Sequence, residues 1–226
     1  MDSNEEMIAS LLATGYADER VAEAMRKADR SDFLPKDQKN YAYEDHPLSI
    51  GFGQTNSAPG IVAFMSKNLD VRPGMKVLEV GAGSGWQAAV LGHLVEQKAW
   101  AKQGLRQGSR GDVWSIERIP ELMMNAKENV ERAGLKNVHI VHGDGTMGYP
   151  EEAPFDRIMV TAAGPQLPVP LLKQLKEGGR MLMPVGGSFS QELLLVEKKK
   201  SGIDSKPVMS VIFVPLIGEY GHAGMR

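Results

Sequence analysis

From Lys76 to the C-terminus, short apolar runs rich in β-branched residues alternate with stretches whose apolar positions recur every three or four residues. The short runs predict strands over 76–80, 112–117, 138–142, 156–161, 178–184, 191–197 and 208–214. The clearest helical stretch is 118–133, where Ile119, Leu122, Met123, Ala126, Val130 and Ala133 follow the 3.6-residue period. Pro120 suits the first turn of that helix, and Gly134 can end it. Upstream, 5–13 and 18–29 also read as helices; in the second, Asp18 can cap the start while Val21, Ala24, Met25 and Ala28 share a face. Strand–helix alternation followed by closely spaced late strands predicts an α/β fold with a mainly parallel sheet and an antiparallel edge.

Two stretches break the pattern. Residues 31–58 are rich in turn formers and polar groups with scattered aromatics, so they read as a long loop, functional or disordered. The stretch Gln97–Gly111 carries Lys98, Lys102, Arg106 and Arg110 and no acid. It reads as a solvated surface insertion between the first crossover helix and the second strand, with a basic flap attracting acidic peptides as the alternative. No internal repeat or low-complexity segment is present.

Composition narrows the function classes. The net charge of −2 gives no general reason to expect nucleic acid or an acidic membrane as partner. No apolar run approaches the roughly 20 residues needed to cross a bilayer. The acidic opening MDSNEEMIAS lacks the order of a signal peptide, which makes a cytoplasmic protein the expectation. The absence of cysteine excludes disulfides, thiolate nucleophiles and cysteine zinc sites.

The chemistry-bearing motif is KVLEVGAGSGW, Lys76–Trp86: a buried strand, a glycine-rich turn and a helix start. Gly81, Gly83 and Gly85 alternate, whereas the dinucleotide fingerprint needs two residues between its second and third glycines and would put a glycine at Trp86. Glu79, two places before the turn, is awkward for a pyrophosphate and suits the positive sulfonium and ammonium of S-adenosylmethionine. Glu117 ends the second predicted strand, where a carboxylate can accept from both ribose hydroxyls. It lies further from the turn than the usual spacing of about 20 residues, and the basic insertion accounts for the excess. Asp144 and Gly145 follow the third strand, where an acid and a small residue can flank an adenine. Taken singly, Glu117 could instead cap the next helix and Asp144 could serve a turn. All these positions fall at strand ends and should share one rim.

Beyond the turn, DHPLSIGFGQTNSAPGIVAFM at 45–65 resembles the substrate-and-cofactor loop of protein-L-isoaspartate O-methyltransferases. VLEVGAGSGWQAAVL at 77–91, HGDGTMGYPEEAPFDRIMVTAA at 142–163, LKEGGRMLMPVG at 175–186 and FVPLIGEYGH at 213–222 are similar to the same family. The resemblance implies a Rossmann-like S-adenosylmethionine-dependent methyltransferase fold: a seven-stranded sheet with an altered order of the last strands, flanked by helices, with an N-terminal helical extension. It implies one methyltransferase domain over 1–226, with 1–58 holding the N-terminal helices and substrate loop and 59–226 the cofactor-binding core. The implied reaction methylates the free α-carboxylate of L-isoaspartyl residues in proteins and peptides, leaves S-adenosyl-L-homocysteine, and starts repair through a succinimide.

Carried over by resemblance, Ser57 has an active-site role, and Gln54, Thr55 and Asn56 line the cofactor or substrate pocket. Glu79, Gly81, Gly83, Gly85, Glu117, Asp144 and Gly145 match the cofactor positions. One departure is Gly60, where many members have histidine. Ser57 could equally cap a helix starting near Ala58-Pro59. The acceptor peptide is expected to lie extended beside Phe213-Val214-Pro215-Leu216, with Val214 in contact, and His222 to border the cofactor pocket or the surface. An α-carboxylate, with a pKa of roughly 3.3–3.7, is already ionised, so no His–carboxylate base is required. His139 and His142 point to opposite faces of their strand and read as structural, with no metal site. A monomer acting on isoaspartyl chains, with no nucleic acid or membrane partner, is expected. The alternatives are a methyltransferase for RNA or a small acceptor, a non-catalytic cofactor-binding module and, third, an NAD dehydrogenase.

Overall fold

The computed structural model describes residues 3–96, 111–187 and 189–223, so the basic stretch read at Gln97–Gly111 lies outside the described residues apart from Gly111. Helices α1 (Asn4–Ala13) and α2 (Glu19–Lys27) form where periodicity places them. Ser3 accepts from the Glu6 amide and Asp18 from the Val21 amide, so both starts are capped by side chains. Helix α2 ends short of residue 29. Ala28 leaves the helical region (φ −99°, ψ 73°), and its carbonyl accepts the Trp86 indole N–H at 2.8 Å.

The long loop read at 31–58 is largely ordered. Short 3-10 helices cover Arg30–Phe33 and Lys36–Tyr41, and strands β1 (Leu48–Gly51) and β2 (Gln54–Asn56) pair as an antiparallel hairpin. Its tip, Gly51-Phe52-Gly53, has φ of 87°, 54° and 68°, a left-handed run that periodicity cannot reveal.

The remainder is an α/β sandwich. Along the chain come α3 (Pro59–Leu69), β3 (Lys76–Val80), α4 (Trp86–Glu96), β4 (Asp112–Glu117), α5 (Pro120–Arg132) and β5 (Val138–His142). They are followed by β6 (Phe155–Val160), α6 (Val169–Gln174), β7 (Leu175–Gly186), β8 (Gln191–Lys199) and β9 (Gly202–Val211). The seven long-range strands form one sheet in the order β5-β4-β3-β6-β7-β8-β9. The first five are mutually parallel, and β8 runs antiparallel to both neighbours. This is the Rossmann-like methyltransferase fold, with its last three strands laid down in chain order.

Both faces of the central strands are buried, as a parallel sheet between helices requires. Val77 packs with Trp86, Leu91 and Val113 on one face; Leu78 and Val80 pack with Ile158, Val160 and Leu171 on the other. Strand β9 departs from the predicted 208–214. Its first half, IDSKP, is exposed and polar, so it carries no apolar signal, yet it pairs through its main chain from Gly202 onward. Val208 is the extra residue of a bulge, between the Leu194–Pro207 and Leu193–Met209 pairs, which accommodates the proline without an N–H. Beyond Val211 the chain leaves the sheet, because the Gln191 side chain takes both the amide (2.7 Å) and the carbonyl (3.1 Å) of Phe213. The chain then crosses the carboxyl ends of the strands.

Candidate active site

Strand order reverses between β3 and β6, the crevice where open α/β sheets bind ligands. There β3 runs into Gly81-Ala82-Gly83-Ser84-Gly85, with φ of 100°, 54° and 84° at the three glycines. The Gly81 and Ala82 amides donate to the Ile116 carbonyl, at 2.8 and 3.2 Å, fastening the turn to β4. A side chain at Gly81 would strike the Thr161 hydroxyl. At Gly85 a Cβ would lie 3.0 Å from the Ala126 carbonyl, so this glycine admits α5 against the turn and does not face the cleft.

A partly open cavity occupies the crevice. Gln54, Thr55, Asn56 and Ser57 form one wall. Gly81, Gly83, Glu117 and Gly145 form the floor, and Val214 to Ile217 form the opposite wall. The structure therefore brings together most of the residues singled out from sequence, from both ends of the chain. Glu79, Gly85, Asp144 and His222 lie outside the lining.

Each lining residue has its own fixings. The Glu117 carboxylate accepts the Gly83 amide at 2.9 Å through Oε2 and the Ile119 amide at 3.0 Å through Oε1. It is thus more than a helix cap: it ties the end of β4 to the glycine turn. Asn56 is buried and acts as a strut, accepting from Arg30 Nε at 2.8 Å and donating to Ser84 Oγ at 2.8 Å. The cap reading of Ser57 fails. Helix α3 has Ala58 as its N-cap and no side-chain cap bond, so the Ser57 hydroxyl, which makes no hydrogen bond among the described residues, faces the cavity wall uncommitted. The departure at Gly60 has a local reason. Its amide donates to Asp45 Oδ1 at 2.7 Å, and a Cβ there would sit 2.7 Å from Asp45 Oδ2, so glycine lets a carboxylate close on the start of α3.

The residues behind the lining change the electrostatics. Glu79 is fully buried beneath the turn; burial pushes its carboxyl up to about 8, against the smaller opposing pull of the Ser115 hydroxyl, which donates to Oε2. Burial thus favours its neutral form, which weakens the argument that its carboxylate attracts a cation. Asp144 serves a turn, accepting the Thr146 amide and hydroxyl at 2.9 and 2.7 Å. It also pins the C-terminal segment by accepting the Glu219 amide at 2.8 Å. Gly145 beside it packs so closely on Val80 that a Cβ would overlap that side chain.

The segment after β9 is held by Ala163, whose amide donates to the Val214 carbonyl (2.8 Å) and whose carbonyl accepts the Leu216 amide (2.7 Å). The His222 amide donates to the Leu216 carbonyl at 2.7 Å. The histidine–carboxylate contacts, His46–Glu44 at 2.9 Å and His139–Asp112 at 3.0 Å, lie outside the cavity. Among the described residues, no cluster could hold a metal ion. Thr161, Trp86 and the buried Arg30 behind the Ser57 wall were not singled out from sequence. Only the placement of Thr161 just past a strand end and of Trp86 just past the turn could have signalled the first two.

This donor set fits S-adenosylmethionine and not a dinucleotide. The Gly83 amide, which a pyrophosphate would need, is already held by a carboxylate. Glu117, by contrast, suits the hydroxyls of a ribose, and Val80, Ile116 and Leu216 supply apolar surface.

The family model for protein-L-isoaspartate(D-aspartate) O-methyltransferase matches residues 2–221. A protein-L-isoaspartate O-methyltransferase of Methanothrix thermoacetophila is 52% identical over 217 residues, covering 96% of each chain. One of Hyperthermus butylicus is 48% identical over 223 residues, covering 97% of this chain and 90% of the relative. Among solved structures, a protein-L-isoaspartate O-methyltransferase superposes with a TM-score of 0.83 at 33% identity, over 97% of this chain and 67% of that one. A Plasmodium falciparum protein assigned to the same activity, crystallised with S-adenosyl-L-homocysteine, superposes with a TM-score of 0.81 at 26% identity, over 96% and 99% of the two chains. By a family model spanning nearly all its length and by relatives of this identity, the chain belongs to the protein-L-isoaspartate(D-aspartate) O-methyltransferase family.

Proposed function

We infer that the cleft transfers a methyl group from S-adenosylmethionine to the free α-carboxylate of L-isoaspartyl residues in damaged proteins and peptides. The observation that carries this is the meeting of three walls on one crevice: the Ser57 loop, the glycine turn with Glu117, and the 214–217 segment. When bound, S-adenosylmethionine supplies a methyl group on a positively charged sulfonium. Glu117 would hold the ribose hydroxyls, Gly145 and Ile116 the adenine, and Gly81 and Gly83 allow close backbone approach. The acceptor carboxylate needs no base, because its pKa is roughly 3.3–3.7. The hydroxyls of Thr55 and Ser57 orient it, and the walls exclude water from it. The resulting ester is then attacked by the following backbone nitrogen, releasing methanol and closing a succinimide; hydrolysis of that ring returns part of the chain to normal aspartate.

An isoaspartyl site carries one extra backbone methylene, so it is read by main-chain shape. We place the peptide extended beside Phe213–Leu216. Val214 and Leu216 spend main-chain groups on Ala163, which leaves the Pro215 carbonyl, on the other edge, without a main-chain donor among the described residues. Residues 1–58 and 59–226 act in this reading as one unit, since the first supplies the Ser57 wall and the second the cofactor floor. No helix among the described residues is long and apolar enough to cross a membrane. The reading takes the protein as a cytoplasmic monomer that binds neither membrane nor nucleic acid.

Transfer of labelled methyl to paired aspartyl and isoaspartyl peptides tests the function. Base-labile label on the isoaspartyl member alone is expected; equal labelling of both, or none, overturns it. In the same assay Ser57→Ala should lower turnover more than it weakens S-adenosyl-L-homocysteine binding. Wild-type turnover in that variant removes Ser57 from the mechanism.

A further inference from the structure

Arg30 is fully buried, and among the described residues no carboxylate lies within salt-bridge distance of it, though the Asp45 charge partly offsets its burial. Burial lowers its guanidinium to about 10, so it stays charged at neutral pH. Taking such a charge out of water is costly unless its donors are met. Here they are met from both sides of the hairpin. Nη1 donates to the carbonyls of Ala42 (3.0 Å) and Glu44 (3.1 Å), and Nη2 to that of His46 (2.9 Å), all ahead of β1. At the end of β2 and just past it, Nη2 also reaches the carbonyls of Asn56 (3.3 Å) and Ser57 (2.9 Å), while Nε donates to Asn56 Oδ1 at 2.8 Å. The guanidinium carbon lies 5.2 Å from the centre of the Trp86 ring, the first residue of α4. Asn56 completes the circuit by donating to Ser84 in the glycine turn.

We propose that Arg30 is the positioning residue of the reaction: by closing the base of the β1–β2 hairpin on the glycine turn, it sets where Ser57 stands relative to the cofactor floor. The inference rests on the reading of this cleft as a methyl-transfer site. Its support is the direction of the contacts. The partners of Arg30 are the chain entering the hairpin ahead of β1, Asn56 at the end of β2, Ser57 itself, and Trp86 in the cavity wall. No strand of the seven-stranded sheet is among its hydrogen-bond partners; Trp86, which the guanidinium overlies, joins the core to the cavity lining. Lysine cannot substitute: one ammonium with three donors on a single nitrogen does not span two groups of carbonyls on opposite sides of a planar fork.

The test is Arg30→Lys, which keeps the charge. Expected are S-adenosyl-L-homocysteine affinity within a few-fold of wild type by calorimetry, a raised KM for an isoaspartyl peptide, and kcat lower by about a hundredfold, the scale of an ångström's misplacement. Near-wild-type kcat overturns the proposal, and so does a loss of S-adenosyl-L-homocysteine affinity as large as the loss of kcat, which would mean general loosening. Hydrogen exchange gives a readout independent of activity. Amides of 48–57 should lose protection while those of 76–80 keep it; unchanged protection at 48–57 overturns the staple even if the acceptor were misidentified. A wild-type protein inert toward isoaspartyl peptides would sink the functional reading instead. Should Arg30→Lys fail to fold, Asn56→Ala removes one acceptor and the strut to Ser84 while leaving the five carbonyl contacts. It should lower kcat and deprotect 54–57, and wild-type values for both would refute the proposal.

Discussion

Replacing Glu79 with glutamine should invert the pH dependence of relative stability. Glu79 lies on β3, with no exposed surface, and Oε1 has no hydrogen-bond partner among the described residues. Desolvation raises its carboxyl from the ordinary 4.5 to about 8, with the Ser115 hydroxyl pulling the other way and the Glu117 charge adding to the rise. Between those values the folded chain holds a proton that the unfolded chain has released. For an acid whose folded pKa is raised, stability is therefore greatest at low pH. It falls as pH rises through the window, and levels off above it. At about 1.4 kcal/mol per unit, this loss amounts to roughly 4–5 kcal/mol by pH 9, to order of magnitude.

Glutamine has the same shape and no charge, so it escapes that loss. It also brings a buried N–H₂ beside a site with no acceptor, a penalty of about 1–3 kcal/mol at every pH. Urea unfolding of both proteins at pH 5, 7 and 9 separates the two effects. Expected is a wild type equal to or more stable than Glu79→Gln at pH 5, and a variant ahead by a few kcal/mol at pH 9. The difference between them should climb steadily with pH. A difference that stays constant across this range refutes the buried, protonated carboxyl.

Two further outcomes follow from named contacts. Glu117→Gln should weaken S-adenosyl-L-homocysteine binding about ten- to a hundredfold, since it replaces charge-assisted acceptance from a ligand hydroxyl and from Gly83 with a neutral one; unchanged affinity by calorimetry removes Glu117 from the ribose. Asp70 sits 2.6 Å from Arg72, 3.6 Å from the largely buried Arg20 and 3.9 Å from the largely buried Arg157. Asp70→Asn keeps a residue tolerant of its left-handed backbone (φ 54°) and deletes the charge. Allowing for the partial exposure of Asp70, it should destabilise by roughly 2 kcal/mol, less than breaking a fully buried pair, and an unchanged thermal midpoint would refute that.

What could be read from sequence depended on burial. Strands β3, β4 and β5 match their predicted limits because each carries β-branched or aromatic apolar residues facing the core and is bounded by turn or helix signals. Strand β9 and the β1–β2 hairpin were misplaced or missed for the opposite reason. Main-chain pairing holds them, and side-chain polarity does not record it. The site divides the same way. Gly81, Gly83 and Glu117 were legible because turn geometry and strand ends restrict the residue type. Arg30 was not legible: an arginine near the end of a helical stretch reads as solvated, and its partners are carbonyls, which any residue supplies. Glu79 was legible as a position and misread as a charge, because protonation follows from burial that only the packed sheet provides.

That misreading bears on how the cleft works. Among the described residues, Glu117 and Arg118 are the only charged side chains in the lining, one of each sign, and no histidine joins them. A carboxylate and a sulfonium-borne methyl lose their opposite charges as they react. A wall that bound either charge strongly would therefore hold the ground state at least as well as the transition state and gain nothing in rate. A charge-balanced cleft, with burial pushing Glu79 beneath it toward its neutral form, avoids that trap and leaves placement and water exclusion to supply the acceleration. Such a site depends on how firmly its two halves are held together. The groups doing so are the Glu117 bond to Gly83 on the cofactor side, the Arg30 staple on the acceptor side, and Asn56 between them.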